Sequence, residues 1–313
     1  MPASHSAFTV VGLGEALFDI FGTDQRVGGA PLNVAVHAHR LAAPHGGRGV
    51  CASRVGQDAL GDRLLDTLRA RDIDTATVQT DPDRPTGRVF VTTDAHGSPA
   101  YDIPPNQAWD VLQPDPDLDD LAQSTSAVTF GSLAQRDPQA RSTIRRFVEQ
   151  ARHAVRLFDV NLRLDFYDRN ILEWSCENAS AVKLNDEELD TVLSTLRLAV
   201  PDNATVDDKA HALIAEFQLD LLVFTRGKDG TRLYTAADTI DGQPATYPPA
   251  PNADSVGAGD SVTAAILVGL CLRRPRQQIA DAANKVGAYV ASQPGGQPEL
   301  TDDLVALFDP ALA

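Results

Sequence analysis

The chain has 313 residues, 43% of them hydrophobic, and a formal net charge of −16 at pH 7. This length allows one large α/β domain with a sizeable core, and the acidic charge argues against nucleic acid as a partner, because phosphate binding needs clustered Lys and Arg. No window holds about 18 consecutive apolar residues, so neither a membrane-spanning helix nor a membrane partner is expected.

The cysteines and the first residues favour a reducing compartment. Residues 1–10 lack the basic and long apolar stretches of a secretory signal, so none is expected. Cys51, Cys176 and Cys271 form no CxxC pair, and we interpret them as small buried apolar residues. We therefore expect the protein to be cytoplasmic.

The first part of the chain alternates between strand and helix patterns. Residues 8–14 are apolar and β-branched and end in glycines, which predicts a strand. Pro31 favours the start of a helix over residues 32–41. A strand at residues 50–55 and a helix over residues 60–71 follow, the helix indicated by the spacing of its leucines.

Residues 86–104 break this alternation. A strand is predicted at residues 86–94, a turn at residues 95–97 and a short strand at residues 99–103, which together form a β-hairpin. Because the hairpin has little helix of its own, we expect a lid rather than part of the core.

From residue 127 onward the alternation is regular. Strands are predicted at residues 127–131, 157–160, 181–184 and 221–225, with helices at residues 138–153, 207–216 and 259–272. This order implies βαβ units and a mostly parallel sheet. We expect one domain over residues 1–313.

The segment Asp254-Ser-Val-Gly-Ala-Gly-Asp260 is the most specific motif. Its small residues allow backbone N–H groups to face outward at a helix start, which favours an oxyanion or phosphate. Asp260 would then stand beside those donors, where a carboxylate can take the proton of an attacking hydroxyl. On the motif alone, a tight turn with Asp260 as a helix cap fits equally well.

A second glycine motif, Thr225-Arg-Gly-Lys-Asp-Gly230, closes a predicted strand. Ligand loops follow strands in open α/β sheets, so Gly227 and Gly230 could let the backbone approach a nucleotide, with Thr225 near a phosphate. The other interpretation is a plain hairpin turn between residues 221–225 and 231–234.

Taken together, the motifs resemble the ribokinase-like (PfkB) family of carbohydrate kinases. The match runs in the family's order from about residue 10 to residue 296, through Gly28-Gly-Ala-Pro-Leu-Asn33, Gly56-Gln-Asp58, Asp159-Val-Asn-Leu-Arg163, Lys183-Leu-Asn-Asp-Glu-Glu188 and the two segments above. The resemblance implies a three-layer sandwich with a mostly parallel central sheet. It also implies a small β lid formed by residues 15–30 and 86–104.

The resemblance also implies a role for each matching residue. Asp260 would be the general base, and Gly257, Ala258 and Gly259 the anion hole for the migrating phosphoryl group. The sugar would contact Asp19, Gly28, Gly29, Asn33 and Arg163. The nucleotide would contact Lys183, Asn185, Thr225, Gly227, Gly230 and Asn284.

The implied cofactors are ATP, Mg²⁺ and, as a candidate, K⁺. Asn185 and Glu188 would order Mg²⁺ through its waters, since Mg²⁺ takes few protein oxygens. Backbone near Asp254 and Val256, together with the loop of residues 291–296, would supply oxygens to K⁺.

Structural roles remain open for these residues. Asp19 and Arg163 fit surface positions, and Asn33 fits a cap or an exposed helix position. Asn185 with Glu188 resembles a capping box, and Asn284 has the weakest functional signal. His37, His39 and His45 are interpreted as surface residues rather than metal ligands.

The opening residues 14–19 and the run at residues 158–163 look most like the fructokinase branch. The expected reaction is fructose + ATP → fructose 6-phosphate + ADP, with 2-keto-3-deoxygluconate or another sugar as the alternative. The sequence departs from the family pattern at Ser255, where Thr is common, and at Ser261-Val262 after Asp260. These departures leave the identity of the sugar open. The lid edge could pair with a second copy, giving a homodimer.

Two other classes of protein fit the sequence less well. A non-catalytic sugar- or nucleotide-binding protein would be expected to lose groups such as Asp260 and Glu188. A nicotinamide oxidoreductase needs GxGxxG after the first strand, and the third glycine is missing after Gly12-Leu-Gly14.

Overall fold

The structure, a computed structural model, describes residues 7–93 and 99–309. Two sheets organise this part of the chain. The strands are β1 (Thr9–Leu13), β2 (Leu17–Phe21), β3 (Asp24–Gly28), β4 (Arg48–Gly56), β5 (Val78–Asp81), β6 (Gly87–Thr93), β7 (Pro99–Asp102), β8 (Ala127–Gly131), β9 (Val155–Asp159), β10 (Ala181–Asn185), β11 (Leu221–Thr225), β12 (Thr231–Tyr234) and β13 (Thr239–Asp241).

The central sheet has nine strands in the order β13-β12-β11-β10-β9-β8-β1-β4-β5. From β11 to β5 all neighbours are parallel, and only β12 and β13 run antiparallel at one edge. The chain leaves β1 towards β4 and β5, then returns to β8 on the other side of β1. Ligands bind at such a reversal, outside the carboxyl ends of the strands, so this order marks where a site is expected.

Ten α-helices lie within the described residues. They are α1 (Ala30–Ala42), α2 (Ala59–Arg69), α3 (Pro116–Ser124), α4 (Pro138–Gln150), α5 (Arg169–Asn178), α6 (Leu189–Leu196), α7 (Val206–Phe217), α8 (Ala258–Cys271), α9 (Arg276–Ala291) and α10 (Asp302–Ala306). Helices α3 to α7 pack on one face of the central sheet, and α1, α8, α9 and α10 pack on the other. This is the predicted three-layer α/β arrangement.

Helix α1 lies unusually close to strand β1. A Cβ on Gly12 would lie 1.9 Å from the carbonyl oxygen of Pro31, at the first turn of α1. Only glycine permits this approach. The contact fixes the N-terminal end of α1 above the carboxyl end of β1, where the chain reversal occurs.

The second sheet has the order β3-β2-β6-β7. Strand β2 pairs antiparallel with β3 and parallel with β6, and β6 pairs antiparallel with β7. The predicted strands at residues 86–94 and 99–103 therefore form an antiparallel pair, and the predicted turn at residues 95–97 lies outside the described residues. On one face, Phe18 and Ile20 pack with α1 and α2. The opposite face carries Leu17, Asp19 and Val89.

The interpretation of the histidines as surface residues was wrong for His37. His37 is 1% exposed, and its Nε2 lies 2.9 Å from the Gly296 carbonyl oxygen. It belongs to the buried stripe of α1 together with Val34, Ala38 and Leu41, at the i, i+3, i+4 spacing. His39 and His45 are partly buried.

The cysteine interpretation held in part, and no membrane span is found. Cys51 and Cys176 are buried, Cys271 is partly exposed, and all three are free thiols. Among the described residues, no helix has the length and apolar character needed to cross a bilayer.

Candidate active site

Two clefts meet at the carboxyl ends of the parallel strands. The first cleft, of about 480 Å³, lies between the central sheet and the second sheet, and the second cleft, of about 770 Å³, lies beside α8 and α9. Four residues line both clefts: Asn185, Thr225, Ser255 and Gly259. A group held at this junction can be reached from either cleft.

The start of α8 forms the wall of the junction. Gly257 precedes the helix with φ 74°, a left-handed conformation that glycine adopts without strain. In the described part of the chain, the backbone amides of Gly257, Gly259 and Asp260 donate to no carbonyl or side chain. Free amides at a helix N-terminus bind anions, so this turn can hold a phosphoryl group.

Asp260 lies in the first turn of α8 and faces the first cleft. Its Oδ2 accepts a hydrogen bond of 2.7 Å from Asn33 Nδ2. Burial is the largest cause that raises the pKa of Asp260, to about 6, and the Asp159 carboxylate adds to it. The hydrogen bond from Asn33 and the charges of Lys183 and Arg163 act in the opposite direction. Such a carboxylate is ionised at neutral pH yet accepts a proton readily.

Asp19 and Glu15 place two further carboxyls in the first cleft. Burial raises the pKa of Asp19 to about 6 and that of Glu15 to about 7, and the charge of Asp260 adds to both shifts. Glu15 is 4% exposed, and its Oε2 has no hydrogen-bond partner within residues 7–93 and 99–309. Gly28 lines neither cleft, but a Cβ there would lie 2.4 Å from Asp19 Oδ2, so glycine is required for Asp19 to take this position.

Arg163 reaches the first cleft from the loop after β9. This loop is shaped by two residues with positive φ, Asn161 at 39° and Leu164 at 48°. Arg163 Nη1 donates to the neighbouring Leu162 carbonyl oxygen at 3.0 Å. The guanidinium is therefore presented to the cleft, where it can meet sugar oxygens or a phosphoryl group.

A buried ion pair joins the strands under the junction. Lys183 Nζ on β10 lies 2.9 and 3.0 Å from the two carboxylate oxygens of Asp159 on β9. Burial alone would lower the pKa of Lys183, but the Asp159 and Glu188 carboxylates raise it on balance. Thr263 on α8 donates to Asp159 Oδ2 at 2.9 Å, which ties the helix that carries Asp260 to the sheet.

The turn after β10 shows reciprocal hydrogen bonds. Asn185 Oδ1 accepts from the Glu188 amide, and Glu188 Oε2 accepts from the Asn185 amide, each at 2.9 Å. Glu188 Oε1 also accepts from Leu162 N at 2.8 Å. These reciprocal bonds have the pattern of a capping box, but α6 begins only at Leu189 with Glu188 as its N-cap, so the bonds close the turn between β10 and α6. No cluster of three or more His, Cys, Asp or Glu that could hold a metal occurs in residues 7–93 or 99–309. This donor set fits Mg²⁺ held mainly by phosphates and water, with only indirect help from the turn.

The second glycine motif forms the predicted hairpin turn, and its glycines also face a cleft. Strands β11 and β12 form an antiparallel hairpin in which Thr225 pairs with Thr231. Gly227 and Gly230 of its turn also line the second cleft. Asn284 lines this cleft from α9, but its Oδ1 accepts from Thr231 N and its Nδ2 donates to Gln243 O. The Asn284 amide group thus already ties β12 and the segment after β13 to α9.

The loop before α8 packs against the loop after α9. Asp254 Oδ2 accepts from Gly295 N at 3.0 Å and from Arg26 Nη1 at 2.8 Å, and Asp254 Oδ1 accepts from Val256 N. Because the carboxylate of Asp254 is engaged in this way, a K⁺ ion here would depend on backbone oxygens.

The clefts bring together most of the residues predicted from the motifs. The first is lined by Asp19, Gly29, Asn33, Arg163, Lys183, Asn185, Glu188, Thr225, Asp254, Val256, Gly257, Gly259 and Asp260, and the second by Asn185, Thr225, Gly227, Gly230, Ala258, Gly259 and Asn284. Motif analysis gave no role to Glu15, Asn161 or Ser255. All three are polar residues close in the sequence to Asp19, Arg163 or Asp254. That proximity could have indicated that they belong to the site.

Comparison with known proteins decides the family. Residues 13–303 match the model of the family described as pfkB family carbohydrate kinase. The chain belongs to this family. The kinase is 28% identical over 325 residues to probable fructokinase-2 of Arabidopsis thaliana, with 95% of this chain and 94% of the relative covered.

Two further relatives are fructokinases. The fructokinase of Klebsiella pneumoniae is 30% identical to the kinase over 273 residues, with 82% of this chain and 83% of the relative covered. A structure of the fructokinase of Vibrio cholerae O395 with fructose, ADP and a calcium ion superposes with a TM-score of 0.78 at 26% identity, covering 98% of this chain and 100% of that one. The resemblance and the fold class inferred from the motifs are confirmed.

Proposed function

We propose that the kinase transfers the γ-phosphoryl group of ATP to a hydroxyl of a small sugar, with fructose as the first candidate. The observation that carries this proposal is the position of Asp260: a carboxylate beside free backbone amides, at the junction of two clefts. The sugar occupies the first cleft, and the nucleotide occupies the second.

The proposed reaction follows from this geometry. Asp260 takes the proton as the O–H bond of the sugar hydroxyl breaks, and the oxygen forms a bond to the γ-phosphorus. The bond from the γ-phosphorus to the bridging oxygen breaks at the same time, and ADP leaves into the second cleft. The amides of Gly257 and Gly259 stabilise charge on the phosphoryl oxygens, and Arg163 can meet these oxygens from the first cleft.

The remaining roles complete the proposal. Asp19 and Asn33 bind sugar hydroxyls, and Gly227 and Gly230 let the backbone approach the nucleotide. When bound, Mg²⁺ neutralises charge on the phosphates, and Asn185 with Glu188 orders its waters. K⁺ beside residues 254–256, a homodimer through an edge of the second sheet and a cytoplasmic location belong to the same proposal; the free cysteines support the last.

The second sheet is proposed to close over the sugar. Leu17, Val89 and Val91 turn apolar side chains towards the first cleft, and Tyr101 lies at its edge. Closing such a surface over the sugar removes water, which would otherwise accept the phosphoryl group.

A substrate panel tests the proposal. ADP release is measured with ATP, Mg²⁺ and K⁺ on fructose, 2-keto-3-deoxygluconate, ribose, adenosine and glucose. We expect turnover on fructose to exceed that on the other members. Turnover on 2-keto-3-deoxygluconate alone would keep the kinase chemistry and replace the sugar, whereas binding without any turnover would overturn the catalytic proposal.

A further inference from the structure

Asp260 is held by a chain of two side-chain amides that begins outside both clefts. Asn33 Nδ2 donates to Asp260 Oδ2 at 2.7 Å, and Gln297 Nε2 donates to Asn33 Oδ1 at 2.8 Å. Gln297 belongs to the loop after α9 and lines neither cleft. A sugar or a nucleotide in these clefts would therefore not contact Gln297. Its hydrogen bond to Asn33, the partner of Asp260, must have a role other than ligand binding.

The direction of each bond follows from the charge on Asp260. An ionised carboxylate only accepts hydrogen bonds, so Asn33 must turn its NH₂ group towards it. The carbonyl of Asn33 then faces Gln297 and requires a donor, which Gln297 supplies through its own NH₂ group. Without that donor, only the charge on Asp260 orients the Asn33 amide. Once Asp260 holds a proton, the amide can flip and face it with the carbonyl oxygen.

Two side chains bond the backbone carbonyls of Gly296 and Gln297. Arg71, just beyond α2, donates from Nη2 to the Gln297 carbonyl oxygen at 3.1 Å. His37 on α1 bonds the Gly296 carbonyl oxygen through Nε2 at 2.9 Å, and burial lowers the pKa of His37 to about 4, so the ring is neutral. A Cβ on Gly257 would lie 2.5 Å from the Gly296 carbonyl oxygen, so the same loop also supports the free amides before α8.

We propose that Gln297 is a positioning residue for phosphoryl transfer: it fixes the Asn33 amide so that Asp260 is held through Oδ2 and keeps Oδ1 for the sugar hydroxyl. The inference rests on the proposed role of Asp260 as the base. It assigns a function to Gln297 although Gln297 lines neither cleft.

The proposal has a consequence for the proton affinity of Asp260. The hydrogen bond from Asn33 lowers the pKa of Asp260, so a misoriented Asn33 raises it above about 6. The other charged groups that act on Asp260 stay in place in this comparison; they are Asp159, Lys183, Arg163, Glu15 and Asp19.

Two substitutions of Gln297 by side chains of similar size distinguish a positioning role from a packing role. Gln297→Met keeps the bulk and removes the donor, and Gln297→Glu replaces the donor with an acceptor. We expect kcat to fall about tenfold in Gln297→Met and further in Gln297→Glu, with the acid limb of the kcat/KM profile moved up by about half a pH unit or more. The KM for ATP should stay unchanged in both variants.

A matched control and a double-mutant cycle complete the experiment. Gln79→Met removes a glutamine whose Nε2 donates to Gln113 O and Asp115 Oδ2. None of these residues lines either cleft, so this variant should leave the pH profile unchanged. In an Asn33→Ala background, Gln297→Met should cause no further loss. Equal effects of the Met and Glu variants with an unshifted profile, or full additivity with Asn33→Ala, would overturn the proposal. Turnover by the wild type on the sugar panel tests the proposed function separately.

Discussion

Asp260 carries a charge that its surroundings oppose. Burial and the Asp159 carboxylate raise its pKa to about 6, and the hydrogen bond from Asn33 limits the rise. The result is a carboxylate that is mainly ionised at neutral pH but binds a proton more tightly than an exposed aspartate. This is the proton affinity that general base catalysis near neutrality requires.

The pH profile of kcat/KM tests this balance. In the proposed mechanism only the ionised form of Asp260 accepts the hydroxyl proton, so kcat/KM for the sugar should be constant above about pH 7 and fall below about pH 6. The pKa of Asp19 is also raised to about 6, so Asp19→Asn serves as the control that isolates the Asp260 limb. A profile that stays flat to about pH 4.5 would be inconsistent with a raised pKa at the base.

Glu15 predicts how stability changes with pH. Burial raises its pKa from the ordinary value of 4.5 to about 7, so the folded state binds this proton more tightly than the unfolded state. Stability from this group is fully present below about pH 4.5 and is lost as the pH rises to about 7.

Glu15→Gln removes that pH dependence. The variant should be more stable than the wild type above about pH 7, by roughly 3 kcal/mol at most, and the difference should shrink towards about pH 4.5. The free energy of unfolding, measured with urea at several pH values, checks this. A difference between the two proteins that does not change with pH would show that Glu15 ionises normally.

At the residue scale, the sequence predicted which residues carry chemical groups of the site better than it predicted which residues contact one another. The motifs named Asp260, Asn33 and Arg163, because their residue types stand at family spacing. They gave no role to Glu15 or Gln297. A role for Glu15 can be assigned only when it is known which carboxyls are desolvated. A role for Gln297 can be assigned only when it is known that its side chain contacts Asn33, 264 residues away in the sequence.

At the scale of elements, Arg26 links the second sheet to the loop before α8. It lies on β3, and its Nη1 donates to Asp254 Oδ2 at 2.8 Å, while its Nε donates to Asp24 at 2.7 Å. The Asp254 contact is the point where the proposed lid touches the segment that leads to the free amides. It would therefore favour the closed position of the lid.

Arg26→Ala should loosen this closure. We expect the KM for the sugar to rise about two- to fivefold, the range of a partly exposed ion pair, together with more ATP hydrolysis in the absence of sugar. Asp24→Ala, which removes the other partner of Arg26, is the control and should have little effect on either quantity. Equal kinetics for the two variants would argue against a lid contact at Asp254.

Strands and helices differed in how well the sequence predicted them. The predicted strands at residues 127–131 and 221–225 have the observed bounds, because each is a short apolar run ended by a polar residue or glycine. Helix α3 was not predicted, although Asp115 caps it by accepting from Leu118 N and Pro116 follows at its first position. The Asp- and Pro-rich composition hid these start signals.

For the whole molecule, the order of motifs was sufficient to predict the architecture. Six motifs in family order imply one fold, and the central sheet has the expected parallel strands. The site could not be assembled from the sequence in the same way. The bond between Asn33 and Asp260 spans 227 residues, and only the packing of α1 and α8 on one face of the sheet brings them together.

Two separate clefts predict two separate ligand effects on thermal stability. Fructose and ADP should each raise the Tm by several degrees at about 100 times Kd, because each binds the folded state alone. Asp19→Ala should abolish the shift with fructose and keep the shift with ADP. Loss of both shifts in this variant would contradict the assignment of one ligand to each cleft.

The measurement that tests the central claim most directly is the rate of sugar-dependent ADP formation by Asp260→Asn. The substitution keeps the size of the side chain and its place in the first turn of α8 but removes the proton acceptor. We predict a loss of about 10²- to 10⁴-fold in kcat, with the Kd for the sugar, from calorimetry, within a few-fold of the wild-type value. A variant that turns over as fast as the wild type would show that Asp260 is not the base.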